Sequence, residues 1–444
     1  MSTQDTIAAI ATPPGVGGIG IIRLSGTNSL QIAETLTTKR LSAGQIIFCH
    51  FYDDQNQQID FGICLFFQNP HSFTSEDVVE IQGHGGPILL DMLLSRVCQL
   101  GARLARAGEF SERAFLNGKI DLTQAEAIAD LIESRSQAAA KAAMRSLQGK
   151  FSDEINLLEQ KIIQLRAFTE AALDFSEEEV DFLADADIEQ QLDNCQTNLS
   201  QVLLQAEKGR VLQEGLNIVI AGLPNAGKSS LLNTLAGYDA AIVTPIPGTT
   251  RDLVKEEISL KGIPVHITDT AGLRESDDKI ELEGINRAWK EIQKADMVLL
   301  LVDAVKGIQT EDKVIIKQLK SITYSIIYSK CDLISEHEIN ASKYLHISTL
   351  NEEGIEQCIN LITGKISDYN QDNQQILARR RHVEALHKAQ HCLSDAKNIF
   401  VQMNSPELMA EDLRQVQRYL NEITGDFTTE DLLGKIFSSF CIGK

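Results

Sequence analysis

Short apolar runs alternate with turns rich in glycine and proline over residues 1–119. The runs that predict strands are 7–11, 19–24, 46–50, 63–67 and 78–82. Glycine or proline interrupts the pattern at 13–15 and again at 83–87. Runs of this length, bounded by such turns, are typical of strands in a mixed domain. The pattern predicts an α+β domain over residues 1–119.

From residue 122 the spacing of apolar positions becomes helical. Ala125, Ile128, Leu131 and Ile132 recur three or four residues apart, and glycine and proline are almost absent up to residue 214. The same helical spacing of apolar residues returns beyond residue 370 and continues to residue 444. We therefore predict one helical domain in two parts, 120–215 and 369–444. An acidic run at 174–189 fits a solvated face, and we assign it no chemistry.

The segment between these two parts has a third pattern. Strand-like runs at 216–221, 265–269, 297–303, 325–329 and 344–348 are separated by helical stretches. Strands that alternate with helices predict a doubly wound α/β domain. The expected fold is therefore multidomain α+β and α/β, with the α/β unit inserted at 216–368.

Composition narrows the function classes. The 444 residues are 43% hydrophobic and 23% charged, so several folded domains are expected and wholesale disorder is excluded. With 41 Lys and Arg against 62 Asp and Glu, the net charge is −21, and any contact with nucleic acid must be local. No apolar run is long enough for a membrane span, and no secretory signal is evident. Eight scattered cysteines without a CxxC pair indicate reduced thiols and a cytoplasmic protein.

The strongest chemical motif is GLPNAGKS at 222–229, a GxxxxGK[ST] loop between a predicted strand and a predicted helix. Its glycines allow successive backbone N–H groups to turn toward phosphate oxygens. Lys228 supplies positive charge to the β and γ phosphates, and the Ser229 hydroxyl is a magnesium ligand. The loop, called the P-loop below, predicts a nucleoside triphosphate site.

Two further runs belong to such a site. The DTAG run at 269–272 ends a predicted strand about forty residues after the P-loop, so Asp269 is expected beside the magnesium-bound phosphates. Gly272 is expected where a backbone N–H meets the γ phosphate. The GTTRD run at 248–252 lies between them, and Thr250 is a candidate second magnesium ligand.

The SKCD run at 329–332 predicts guanine specificity, because Asp332 can accept from both N1–H and the exocyclic amine of guanine. GTPases usually carry Asn where this chain has Ser329. A serine hydroxyl is shorter, so we expect the hydrogen bond toward the P-loop to be lost or taken over by water. Ser329→Asn is then expected to tighten GTP binding by a few-fold to about tenfold. The run 348–350 is the candidate partner loop, with Thr349 replacing the usual Ala.

Leu273 follows the DTAG run where many GTPases place a glutamine that orients the attacking water. A leucine side chain cannot hydrogen-bond water, so another residue must do this. The next loop offers five acids, and a solvated acidic loop is an equally good interpretation of them: Glu275, Asp277, Asp278, Glu281 and Glu283.

End to end, the chain resembles the MnmE (TrmE) family of tRNA-modification GTPases. Besides the P-loop, GTTRD and DTAGLRE, the matching runs are TIAAIATP at 6–13, IIRLSG at 21–26, EDVVE at 76–80, GEF at 108–110, RAFLNGK at 113–119 and the terminal CIGK at 441–444. The departures are Ala107 for a usual Pro, Gly83 for a usual Cys, and the changes at Ser329 and Thr349.

The resemblance implies an N-terminal domain similar to folate-binding one-carbon enzymes, a helical domain and an inserted G domain. It also implies a homodimer formed through the N-terminal domains. Such proteins act with the flavoprotein MnmG to install an aminomethyl-type group, such as carboxymethylaminomethyl, at carbon-5 of the wobble uridine of certain tRNAs.

Matched residue by residue, the resemblance implies that 5-formyltetrahydrofolate, or a related tetrahydrofolate, binds to Arg23, Glu80, Lys119 and Lys444. It implies that Glu281 positions the attacking water and acts in catalysis with Lys228. It also implies that modification needs Cys441, whose chemical role stays open.

Family members use potassium in place of an arginine finger, and the matching ligand positions are Asn225, Thr244, Ile246 and Thr249. The magnesium ligands are Ser229 and Thr250. The complete set of expected GTP contacts is Asn225, Ala226, Gly227, Lys228, Ser229, Ser230, Thr244, Pro245, Ile246, Pro247, Gly248, Thr249, Thr250, Asp269, Thr270, Ala271, Gly272, Ser329, Lys330, Cys331, Asp332, Ser348, Thr349 and Leu350.

A regulatory GTPase of ribosome assembly is the competing class, because it shares the P-loop and DTAG. That class usually carries an RNA-binding appendage or a second G domain, and this sequence has one P-loop and no GxxG loop after residue 370. The nucleoside composition of tRNA from cells that lack the protein separates the two classes. Arg379, Arg380 and Arg381 form a candidate phosphate contact, with a solvated basic turn the favoured alternative.

Overall fold

A computed structural model describes residues 5–134, 136–174, 188–238, 255–261, 263–269, 288–320, 322–364, 376–403, 405–426, 429–440 and 443 of the chain. The chain divides into two compact units. One comprises Met1–Ile132, Ser146–Leu199 and Ala385–Lys444, and the other Glu133–Arg145 and Ser200–Glu384. The finer division into 1–119, 120–215, 216–368 and 369–444 stays a prediction.

The first part of the chain forms a six-stranded sheet with three helices. The strands are β1 (Ile7–Ile10), β2 (Gly17–Ser25), β3 (Ile46–Tyr52), β4 (Gln58–Phe67), β5 (Val78–Gly85) and β6 (Arg103–Leu104). Their order is β3-β4-β5-β2-β1-β6, and only the β1–β6 pair is parallel. The helices are α1 (Ser29–Thr37), α2 (Pro87–Gln99) and α3 (Glu109–Leu116).

Alternation along the strands places the core of this sheet on one face. Cys49 and Phe51 of β3 and Cys64 and Phe66 of β4 are buried in one cluster. Ile46 and Phe48, at the alternate positions of β3, are exposed. This period of two is the pattern of a sheet packed on one side. The expected α+β fold is confirmed, whereas β6 was not predicted.

Helices follow in two stretches. The first contains α4 (Leu122–Glu133), α5 (Gln137–Leu147), α6 (Lys150–Asp174) and α7 (Ile188–Glu214). The second contains α12 (Arg380–Met403), α13 (Pro406–Thr424) and α14 (Glu430–Ser438), numbered after the helices of the segment between them.

Helix α6 packs against α13 along matching apolar stripes. The stripe of α6 includes Ile155, Leu158 and Ile162, and that of α13 includes Leu413 and Val416, all buried. Spacings of three and four residues place such side chains on one helical face. The predicted helical regions are therefore confirmed where the chain is described.

The segment between these stretches forms a second six-stranded sheet. Its strands are β7 (Leu216–Gly222), β8 (Lys255–Leu260), β9 (Ile263–Asp269), β10 (Met297–Asp303), β11 (Tyr324–Ser329) and β12 (Leu345–His346). The order is β12-β11-β10-β7-β9-β8, parallel except for β8. Its helices are α8 (Lys228–Tyr238), α9 (Thr310–Gln318), α10 (Glu336–Ala341) and α11 (Ile355–Thr363), and residues 288–294 are also helical.

Parallel strands covered on both faces read as continuous apolar runs, and β7 and β10 have that composition. The expected α/β fold is confirmed, with two differences. Strand β12 is shorter than the predicted 344–348, and β8 is an antiparallel edge strand that was not predicted. Within the described residues, no helix is both long enough and apolar enough to cross a membrane.

Candidate functional site

The P-loop connects the end of β7 to the start of α8. Gly222 has φ +139°, and a Cβ there would lie 2.3 Å from the carbonyl oxygen of Leu301 on β10. Only glycine permits this approach, because both the φ value and the space exclude a side chain. Asn225 and Gly227 also have positive φ values, 64° and 88°. The loop therefore takes the turning course that its glycines predicted.

Lys228 is the first residue of α8 and is buried under the loop. Its Nζ donates to the carbonyl oxygens of Gly222 and Leu223, both at 3.0 Å. Burial lowers the pKa of Lys228, and the nearby Asp269 carboxylate partly opposes that shift. The ammonium group is held within the loop, where its positive charge would lie next to a bound phosphate chain.

A hydroxyl and a carboxylate meet beside the P-loop. Ser229 Oγ donates to Asp269 Oδ2 at 2.8 Å, which joins the start of α8 to the end of β9. The other carboxylate oxygen, Oδ1, is buried and has no hydrogen-bond partner among the described residues. Hard oxygen ligands of this kind suit magnesium. The structure thus brings together Ser229, an expected magnesium ligand, and Asp269, expected beside the magnesium-bound phosphates.

Ser329 overturns one expectation. Its hydroxyl, on a residue 4% exposed at the end of β11, donates to the carbonyl oxygen of Ala226 in the P-loop at 2.6 Å. A second carbonyl, that of Val302, lies 3.3 Å away. The expectation that the shorter side chain loses its link to the P-loop was wrong, because β11 brings the hydroxyl close enough to reach Ala226.

The guanine loops are tied to each other and to β10. Ser348 Oγ donates to Asp332 Oδ1 at 2.6 Å, and the backbone N–H of Cys331 donates to the carbonyl of Ile347 at 3.1 Å. Asp332 is exposed, and its second carboxylate oxygen accepts no hydrogen bond within the described part of the chain, while Leu350 is 81% exposed. The runs 329–332 and 348–350 therefore lie side by side, and their role in base binding stays a prediction.

Asp303, at the end of β10, was not singled out from the sequence. Lys330 Nζ donates to its Oδ2 at 2.7 Å. Burial raises the pKa of the Asp303 carboxyl, but the hydrogen bonds from Lys330 and from the backbone N–H of Val305, together with the nearby lysine charges, hold it below its usual value. The ion pair orients Lys330 within the run 329–332, which is called the base loop below. Its only sequence signal is an acid ending an apolar strand.

Several expected contacts lie outside the described residues. They are Thr244, Pro245, Ile246, Pro247, Gly248, Thr249, Thr250, Thr270, Ala271, Gly272, Glu281, Cys441 and Lys444. Of the potassium ligands only Asn225 is described, as an exposed residue in the P-loop. The five candidate acids of the loop after residue 273 also lie outside.

A second cluster of site residues surrounds Arg23 on the first sheet. Arg23 and Glu80 are directly paired across β2 and β5, and Glu80 Oε1 accepts from Arg23 Nε at 3.0 Å and from Nη2 at 2.8 Å. The rings of Phe73 and Phe110 lie 6.0 and 5.9 Å from the guanidinium carbon. Lys119 is exposed after α3 and makes no described contact with this pair.

The end of the chain reaches this cluster. Arg23 Nη1 donates to the carbonyl oxygen of Gly443 at 3.4 Å, across 420 residues of sequence. Gly443 has φ +94°, and a Cβ there would lie 2.4 Å from the carbonyl oxygen of Ile10. Glycine is therefore required for this contact. Neither Gly443 nor the two phenylalanines was predicted as a site residue.

The chain was compared with known proteins. The family model "GTP-binding protein TrmE N-terminus" matches residues 6–119, and "MnmE helical domain" matches residues 122–441. Proteins named tRNA modification GTPase MnmE from Hydrogenovibrio crunogenus and Acinetobacter baumannii (strain AYE) are each 50% identical over 100% of this chain and 99% of their own. One from Francisella tularensis subsp. novicida is 50% identical over 100% of both chains. These matches span both clusters described above.

Proposed function

The chain belongs to the MnmE family of tRNA modification GTPases and is a GTP hydrolase, and from this premise we propose that its hydrolysis cycle drives the modification of wobble uridines in tRNA. In this proposal the protein is a homodimer that acts with the flavoprotein MnmG in the cytoplasm. A folate one-carbon unit contributes to the aminomethyl-type group formed at carbon-5 of the uridine.

The GTP-hydrolysis part of the proposal rests on the pair Ser229 and Asp269. Their oxygens lie 2.8 Å apart beside the P-loop, and Asp269 Oδ1 is buried without a described partner. An unsatisfied buried carboxylate oxygen is costly unless a cation or a donor meets it. These residues fit magnesium, which supplies charge neutralisation between the β and γ phosphates when it is bound.

The remaining residues of the site have binding and orienting roles. Lys228 holds positive charge inside the loop, and Asp332 presents a carboxylate oxygen to the guanine edge. Asn225 is exposed and has a left-handed backbone conformation. Its side-chain amide oxygen can coordinate a potassium ion. Thr244, Ile246 and Thr249 complete that proposed set.

The folate half of the proposal is supported by the Arg23 cluster. The guanidinium of Arg23 and the carboxylate of Glu80 offer planar donors and an acceptor, and the partly exposed ring of Phe73 offers apolar surface. A folate has the complementary pterin ring and carboxylates. Contact with the partly exposed ring of Phe73 would orient such a ligand beside Gly443, which lies two residues from Cys441 in the sequence.

The test is the nucleoside composition of tRNA from cells that lack the protein. The modified wobble uridines should disappear and return with the parent gene. Ser229→Ala should restore neither modification nor GTP hydrolysis, because it removes a magnesium ligand. Ser325→Ala, on β11 away from the P-loop, is the matched control. Unchanged wobble uridines in the deletion strain would refute the tRNA half and favour a regulatory GTPase.

A further inference from the structure

A cleft of about 840 Å³ lies at the junction of α6, α13 and the start of α14. Three arginines line it, Arg166 from α6 and Arg414 and Arg418 from α13. Asn421, Glu422 and Asp426 line the end farther along the chain. Its volume falls within the range of ~300–1,000 Å³ typical of ligand sites. None of these residues belongs to either cluster described above.

Two of the guanidinium groups are available to a ligand. Arg414 and Arg418 are one helical turn apart, roughly 6 Å along the axis, and both side chains are 67% exposed. Their described contacts are ion pairs with Glu411 at 3.8 Å and Glu422 at 4.0 Å. These distances exceed those of hydrogen bonds, and exposed pairs of this kind are weak. A phosphate could therefore displace the acids at little cost.

The third guanidinium is fixed in place. Arg166 donates to the side chain of Gln417 and forms an ion pair with Glu170 at 3.3 Å. Gln417 in turn donates to Glu159 at 3.1 Å. Because contacts from both helices hold it, Arg166 is a fixed member of the cleft, whereas the Arg414 and Arg418 side chains are largely exposed.

Asn421 adds an independent sign of a ligand. The residue is 3% exposed and lines the cleft, yet its Oδ1 has no hydrogen-bond partner among the described residues. Buried amide oxygens are nearly always paired. An N–H or O–H donor brought by a ligand would satisfy it.

We propose that this cleft binds the backbone of RNA, with phosphates on Arg166, Arg414 and Arg418 and a ribose or base donor toward Asn421. The inference rests on the proposed function, in which tRNA is the substrate. A chain of net charge −21 needs a local positive surface to hold RNA. Guanidinium forks match phosphate oxygens geometrically, whereas Asp426 repels phosphates from the far end and so favours binding at the arginines.

The experiment measures binding of an unmodified tRNA transcript to the full-length protein as a function of salt. Arg414→Gln with Arg418→Gln should raise the Kd roughly ten- to a hundredfold at 0.1 M salt and lower the slope of log Kd against log salt by about 1.4–1.8, the value for two lost phosphate contacts. Arg40→Gln with Arg145→Gln removes the same charge elsewhere and should change Kd less than twofold.

Folding is checked by thermal unfolding and by GTP hydrolysis without tRNA, and both should match the parent. Arg414→Lys with Arg418→Lys should keep the salt slope, a rescue that a purely structural role would not produce. A cleft variant that binds tRNA like the control overturns the inference. So does a selective loss in Arg380→Gln with Arg381→Gln, which would place the RNA contact at the start of α12.

The experiments distinguish an error in assigning RNA binding to the cleft from an error in the proposed function. Wobble uridines that are unchanged in a strain without the protein refute the tRNA function itself. Wobble uridines that depend on the parent protein, combined with normal tRNA binding by the cleft variant, refute only the cleft.

Discussion

Removing the Ser329 hydroxyl tests the connection between the base loop and the P-loop. Its bond to Ala226 is 2.6 Å long, and Ala226 is 3% exposed, so water cannot readily replace the lost donor. A hydrogen bond of this type contributes ~0.5–1.5 kcal/mol, and an acceptor left unpaired costs ~1–3 kcal/mol. If about 1 kcal/mol of this is felt in nucleotide binding, the Kd of Ser329→Ala for GDP rises about fivefold.

Calorimetric titration with GDP measures the effect. Ser325→Ala is the matched control, because Ser325 lies on the same strand, is half-buried and makes no described side-chain hydrogen bond. It should bind GDP like the parent. Ser329→Asn should not tighten binding, because the link that an asparagine would provide already exists. Parent-like affinity in Ser329→Ala, or a tenfold gain in Ser329→Asn, would refute this reasoning.

Three further predictions concern turnover and the end of the chain. GTP hydrolysis should be faster in potassium than in sodium at matched ionic strength, and Asn225→Ala should abolish the difference. Equal rates in the parent protein would refute the proposed potassium site. Glu281→Ala should lower turnover by one to several orders of magnitude with little change in GTP affinity, as single-turnover and binding measurements can separate. Gly443→Ala, whose Cβ would meet the Ile10 carbonyl at 2.4 Å, should destabilise the folded protein by about 1–3 kcal/mol, which urea unfolding measures. Gly434→Ala, with open space around it, should not.

Most elements of the fold could be predicted from the spacing of apolar residues along the sequence. Strands such as β7 and β10 are continuous apolar runs, so their type and position could be predicted from composition alone. Strand β8 could not, because its sequence KEEISL opens with three charged residues. An edge strand needs an apolar face on one side only, and charges protect its free edge. Strand β6, with two residues, is too short for any period.

The site was predictable where its parts are adjacent in sequence. The P-loop is a single motif, and its geometry follows from its own glycines. Contacts that depend on how strands and chain ends meet were out of reach, such as Ser329 with Ala226 and Arg23 with Gly443, which are 103 and 420 residues apart. Direct pairing of Arg23 with Glu80 likewise depends on the register of β2 and β5, which the sequence does not specify.

The pairing of α6 with α13 sets an order of events on the ribosome. Arg166 and Gln417 are 251 residues apart, so at about 5–20 residues per second roughly 13–50 s pass between their synthesis. Throughout that interval Leu158, Ile162 and Leu165, which are buried in the finished protein, await their partners. The segment Ser200–Glu384, the larger part of the second compact unit, is synthesised in the meantime. The nascent chain therefore carries a helix with an uncovered apolar face that a chaperone can bind, and truncation before residue 406 should leave that face exposed and the product prone to aggregate.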